Sequence, residues 1–164
     1  MEIRVEPMTL ADLADVLADH ARFWGERDLR HLHLTALVQE FGETCLTARR
    51  AAAAADTDGG GSGSGGEIDG YLIGFITPRR VGYIHAVAVR DTARLGGVAE
   101  TLYRSFARAA MAQGAVTAKA ITSVANTGSV AFHRRLGFTP RRAEDYDGRG
   151  TPMIVLTRQL PFDC

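Results

Sequence analysis

Cysteine occurs only twice, at Cys45 and Cys164, so no disulfide framework can organise the chain. Cys45 lies in an apolar run, where a small core residue is expected. Lysine is scarcer still: Lys119 stands alone, and the rest of the positive charge is arginine. Neither sign of charge prevails, with 19 basic and 19 acidic side chains. Such a balance gives no electrostatic footprint for nucleic acid or an anionic membrane. No apolar run is long enough to cross a bilayer, and the N-terminus lacks a signal-peptide pattern. The cytoplasm is therefore the expected compartment. What remains is ordinary globular composition, 46% apolar and 23% charged. A chain of 164 residues buries roughly two thirds of its unfolded surface and is expected to form one domain over 1–164.

Taken in order, Ile3 and Val5 alternate with charged residues as a strand does, and Pro7 ends it. Thr9 with Asp12 forms a capping pattern for a helix presenting Leu10, Leu13, Val16 and Leu17. The segment from His20 to Phe41 is less regular, with a second helical pattern from about Leu32. His31-x-His33 lacks further close ligands, so a solvated helix start is favoured there over a metal site. No metal is expected.

Thr44–Arg49 and Ile68–Thr77 read as two strands of a hairpin. Between them lie an alanine run and the tract DTDGGGSGSGG, a flexible Ala/Gly/Ser-rich loop at about 51–66. Gly61 to Gly66 formally matches G-x-G-x-x-G. It precedes a strand instead of opening a helix, which excludes dinucleotide binding.

The informative stretch runs from Tyr83 to Ala112. A Val- and Ile-rich strand, Tyr83–Val89, leads through a glycine-bearing turn into an amphipathic helix with Val98, Leu102, Phe106 and Ala109 on one face. Unpaired backbone N–H groups at such a helix start, with roughly half an elementary charge behind them, suit a phosphate or pyrophosphate. Gly96 and Gly97 let the backbone approach it closely, and Arg94 adds a cation. Further on, Ala115–Thr122 reads as a strand and Asn126–Leu136 as a short helix stopped by Gly137. Thr139–Asp147 and Met153–Leu160 read as a closing hairpin.

Two motifs carry a resemblance. Arg94-x-x-Gly97-x-Ala99 is similar to the acyl-CoA pyrophosphate loop of the GCN5-related N-acetyltransferase family. Asn126-Thr-Gly-Ser-Val-Ala-Phe-His133-Arg-Arg-Leu-Gly137-Phe138 resembles the family's N-x-x-[AS]-x-x-x-Y-x-x-x-G-F segment. The resemblance covers about residues 3–160 and is specific over Tyr83–Phe138. It implies a mixed α/β fold: a mostly antiparallel twisted sheet with a splayed parallel pair of central strands, flanked by helices. It also implies acetyl transfer from acetyl-CoA, as co-substrate, to an amine. The expected acceptor is a small molecule. A protein N-terminus or lysine is the alternative, and an inactive acyl-CoA-binding module is the rival from another class. A homodimer is a family expectation.

The resemblance places the pantetheine arm along Val87, Ala88 and Val89, and the pyrophosphate over Arg94, Leu95, Gly96, Gly97, Val98 and Ala99. Asn126 matches the family's pantetheine-contacting asparagine and is also a good helix N-cap. For the base, strand alternation puts Tyr83, His85, Val87 and Val89 on one face. Members of the arylalkylamine N-acetyltransferase branch carry histidine at the place of His85, a side chain suited to proton removal near neutrality. For the acid, His133 stands where the family has tyrosine. It either donates to the leaving thiolate or only packs beside the cofactor sulfur. Trp24, Tyr83 and Tyr146 are candidate walls of the acceptor pocket. Glu26, Glu40, Glu43 and Asp145 are available to a cationic substrate, and no spacing selects among them.

Overall fold

The computed structural model describes residues 2–50 and 66–162. The expected loop at about 51–66 lies outside these apart from Gly66, and Cys164 lies outside as well. The chain opens with β1 (Ile3–Pro7) and α1 (Leu10–Ala18), whose capping box closes on both sides. Thr9 Oγ1 accepts from the Asp12 amide, and Asp12 Oδ2 accepts from the Thr9 amide. The irregular segment resolves into α2 (His20–Trp24), a 3-10 turn over Arg30–Leu32 and α3 (Thr35–Glu40). Then follow β2 (Leu46–Arg50), β3 (Gly70–Ile76), β4 (Val81–Val89), α4 (Val98–Ala112), β5 (Thr117–Ser123), α5 (Thr127–Arg135), β6 (Thr139–Ala143) and β7 (Met153–Gln159).

The seven strands form one sheet in the order β1-β2-β3-β4-β5-β7-β6. All neighbours are antiparallel except β4 and β5, which run parallel and pair only from Val81–Thr117 to Ile84–Ala120. Beyond Ile84 the two strands part. The expected mixed sheet with a splayed parallel pair is what the chain forms. No helix among the described residues is long and apolar enough to cross a membrane.

Two cores lie on opposite faces. On one, α4 brings Leu102, Tyr103 and Phe106, all fully buried, against Leu72, Ile84 and Leu156. On the other, α1, α2 and α3 cover Tyr71, Ile73, Ala86 and Ala88 with Val16, Phe23 and Val38, and Cys45 is buried there as a free thiol. The sheet comes so close to α4 that Gly74 has no free room for a side chain. A Cβ there would stand 2.5 Å from Phe106 Cε2 and 2.9 Å from the Tyr83 carbonyl oxygen.

One expectation is overturned. β4 does not alternate evenly, because Gly74 pairs with Ile84 while the adjacent Ile73 pairs with Ala86. His85 is the extra residue of a β-bulge, and a bulge turns the following side chains to the other face. Ile84 lies in the α4-side core and Tyr83 stacks on Phe75 across the strand pair. After the bulge, Val87 and Val89 pack on the α4 side, and Ala86 and Ala88 pack under α1 and α2. Tyr83 and Val87 therefore face opposite sides of the sheet.

Candidate active site

The parting of β4 from β5 opens a cavity of about 490 Å³. Its walls are Ile84, His85, Ala86 and Val87 from β4 and Ala120, Ile121, Thr122 and Ser123 from β5. α5 contributes Asn126, Ser129 and His133, and α4 contributes Tyr103. The segment after α2 supplies Arg27, Leu29 and Leu32 behind Trp24, with Tyr83, Asp147 and Met153 completing the lining. Of the residues expected at the site, His85, Val87, Asn126, His133, Trp24 and Tyr83 meet here.

Ala88 and Val89 do not line the cavity. They continue β4 past it, paired with Tyr71 and Gly70. The turn from Arg94 to Ala99 lies beyond the cavity, where α4 starts. Leu95 and Gly97 take left-handed backbone angles, φ 64° and 77°, which turn the chain into the helix. No side chain caps α4, so the geometry of its first turn leaves the leading N–H groups open. Space around Gly97 is clear to 4 Å, and Leu95 is fully exposed. Val98 differs from the rest: its side chain is core, and only its backbone is available. The Arg94 guanidinium reaches back to the Phe23 carbonyl at 3.4 Å. An uncapped 15-residue helix start with an open glycine, beside a strand edge left unpaired, fits a ligand that joins a pyrophosphate to an extended amide-bearing arm.

His85 is fixed by the segment after α2. Its Nε2–H donates to the Leu32 carbonyl at 2.8 Å, which leaves Nδ1 as the nitrogen with a free lone pair. Leu32 is itself anchored through a buried chain of polar groups. Trp24 Nε1 donates to the Tyr71 hydroxyl at 2.7 Å, and that hydroxyl donates to His33 Nε2 at 2.6 Å. His33 Nδ1 donates to the Leu29 carbonyl at 2.8 Å, and His20 Nε2 accepts from the Leu29 amide at 3.2 Å. Burial pushes the His33 imidazole below its ordinary value, and His20 and His85 press it further down. Trp24 is thus both a cavity wall and a tie to β3. His33, one half of the His-x-His pair, is a buried structural residue.

His133 is buried, with both ring nitrogens engaged. Nδ1 donates to the Ser129 carbonyl at 2.8 Å, and Nε2 accepts from the Tyr103 hydroxyl at 2.7 Å. Burial holds its pKa below the ordinary histidine value, so the ring is neutral near pH 7 with its one N–H committed to Ser129. Tyr103, fully buried and pushed upward by desolvation, was missed in the sequence because its helical position reads as core. Asn126 caps α5, its Oδ1 accepting from the Ser129 amide at 3.1 Å, while it lines the cavity.

Tyr146 lies outside the cavity lining, with the Lys119 ammonium 5.0 Å above its ring. Its neighbour Asp147 takes the place at the wall. Burial raises the Tyr83 phenol, and Tyr146 and Asp147 add to the rise. Glu26, Glu40, Glu43 and Asp145 are not at the cavity. Among the described residues no cluster of His, Cys, Asp or Glu has the makings of a metal site.

A splayed β4–β5 pair beside an uncapped α4 defines an acyl-CoA N-acyltransferase type of fold. The family pattern of the GNAT acetyltransferases matches residues 16–138, and this chain belongs to that family. Solved structures agree in fold. Ard1 from Thermoplasma volcanium superposes with TM-score 0.74 at 15% identity, covering 98% of this chain and 99% of its own. Ribosomal-protein-alanine N-acetyltransferase from Brucella melitensis gives 0.66 at 23% identity, over 96% and 99%. YncA from Salmonella typhimurium, solved with its cofactor acetyl-CoA, gives 0.66 at 16%, over 99% and 96%. A search among curated proteins finds no match.

Proposed function

We infer that this chain is an acetyl-CoA-dependent N-acetyltransferase acting directly on the primary amine of a small molecule. The observation that carries the reading is a single cavity holding both the unpaired edge of β4 and a histidine whose Nε2–H is already donated. Acetyl-CoA, when bound, supplies an acetyl group activated as a thioester. The open amides of the Gly97–Ala99 turn and Arg94 hold its pyrophosphate, and the edge of β4 from Val87 to Val89 holds its arm. Backbone N–H groups near Val87 and Ala88 polarise the thioester carbonyl. His85 Nδ1 takes the proton of the incoming ammonium, and the Leu32 carbonyl steadies the imidazolium through Nε2–H. That imidazolium returns the proton to the departing sulfur, and the second proton the nitrogen sheds as it becomes an amide goes to solvent. His133, neutral and doubly bonded, orients Tyr103 at the inner end of the cavity and is not the acid. A protein N-terminus or lysine is the nearest alternative acceptor, since solved neighbours named for such substrates share the fold.

Calorimetric titration with acetyl-CoA tests the reading. One-site binding is expected in the wild type and its loss in Gly97→Trp, whose side chain fills the turn. Unchanged affinity in the variant would remove the turn from the site. Release of CoA thiol on adding amines would exclude an acyl-CoA sensor without turnover.

A further inference from the structure

The acceptor half of the cavity carries two charges of opposite sign on different walls. Arg27 lies on the segment after α2, its guanidinium 5.8 Å from the Trp24 ring centroid. Asp147 lies on the connection between β6 and β7. Both are exposed, and neither has an ion-pair partner among the described residues. Their neighbours do. Arg22 pairs with Asp91 and Arg30 with Asp28, while Glu144 pairs with Arg142 and Asp145 accepts from the Gly150 amide. Between the two charges the lining is apolar or aromatic, from Leu29, Leu32 and Tyr83.

We propose that the acceptor is a small zwitterion, an amine that also bears a carboxylate, as a free amino acid does. The guanidinium of Arg27 takes the carboxylate, a pairing its planar fork favours. Asp147 draws the ammonium into the cavity that His85 also lines. A polyamine would meet repulsion at Arg27. A protein N-terminus, its carboxyl converted to an amide, would leave that guanidinium without its anion. The transfer balances with acetyl-CoA alone: the C–S bond breaks and the N–C bond forms, and of the two protons the ammonium sheds, one passes by His85 to sulfur and the other leaves to solvent, while the carboxylate is untouched.

The proposal rests on the transferase reading, and its test separates the two. CoA release is measured with a panel of free amino acids, each beside its carboxamide and its decarboxylated amine. At least one amino acid is expected to show a KM tenfold or more below that of its carboxamide. Arg27→Gln should erase that preference by raising the KM for the amino acid. Arg149→Gln, on the same connection as Asp147 but outside the cavity lining, should keep it. Equal or better use of the neutral-ended amines would overturn the zwitterion, and so would a preference that survives in Arg27→Gln. Acetyl-CoA binding without turnover of any amino acid would overturn it too. Failure of acetyl-CoA to bind at all would bring down the underlying reading instead.

Discussion

His85 shows how one backbone carbonyl can decide the chemistry of a side chain. Donation of Nε2–H to the Leu32 carbonyl fixes the neutral tautomer with its lone pair on Nδ1. His85→Ala should therefore lower kcat/KM by about 10²–10⁴-fold near neutral pH, the range expected for loss of a general base. The loss should be steepest below the pKa of the acceptor amine and shrink as alkali deprotonates the amine. An unaltered pH–rate profile would remove His85 as the base. His133 has the same ring in a different setting. Its lone pair accepts from the Tyr103 hydroxyl and its N–H is donated to the Ser129 carbonyl, so in the proposed reaction its part is to hold Tyr103 in place.

At the scale of elements, the bulge in β4 and the close approach of α4 meet at Gly74. An extra residue at His85 twists the strand, and Gly74 opposite the twist has no side chain to resist Phe106. Gly74→Ala puts a methyl group 2.5 Å from a ring carbon and 2.9 Å from the backbone oxygen of Tyr83. The ring can shift and the backbone cannot. Denaturant unfolding should show a loss of about 1–3 kcal/mol, the usual cost of overpacking a close-packed core. Stability within a few tenths of wild type would mean that the two elements have slack. The bulge itself was invisible in the sequence, where Tyr83–Val89 alternates without a break.

For the molecule as a whole, acid should act in two stages. His33 and His133 are both held below their ordinary values by burial, so the unfolded chain binds protons that the folded one refuses. Stability is full above the unfolded histidine value of about 6.5 and falls as the pH drops through it. The second stage belongs to carboxylates. Burial raises Asp12 and Asp69, but hydrogen bonds from the Thr9 amide and Arg49 outweigh it for Asp12, and those from Arg50 for Asp69. Both therefore lie below the usual 3.8. Their contribution is present above the unfolded value and is lost only as the pH falls through the folded one. Thermal unfolding between pH 7.5 and 5.5 should show a falling Tm, with a shallower slope in His133→Gln. A flat Tm in the wild type would contradict the first stage.

The sequence by itself determined the order of strands and helices, the glycine turn before α4 and the cap of α5. These rest on local chemistry: apolar periodicity, left-handed backbone at Gly97, and an asparagine beside an orphan amide. Family membership was legible for the same reason, because its two motifs are contiguous. Only the tertiary structure decided which side chains share the cavity. Arg27, Tyr103 and Asp147 come from a loop, a helix and a distant hairpin connection, and no local spacing marks them. It also decided the faces of β4, through a register shift at Ile73–Gly74 that no local pattern marks. Protonation was settled at that level too, since the tautomers of His85 and His133 depend on carbonyls and hydroxyls supplied by other parts of the fold.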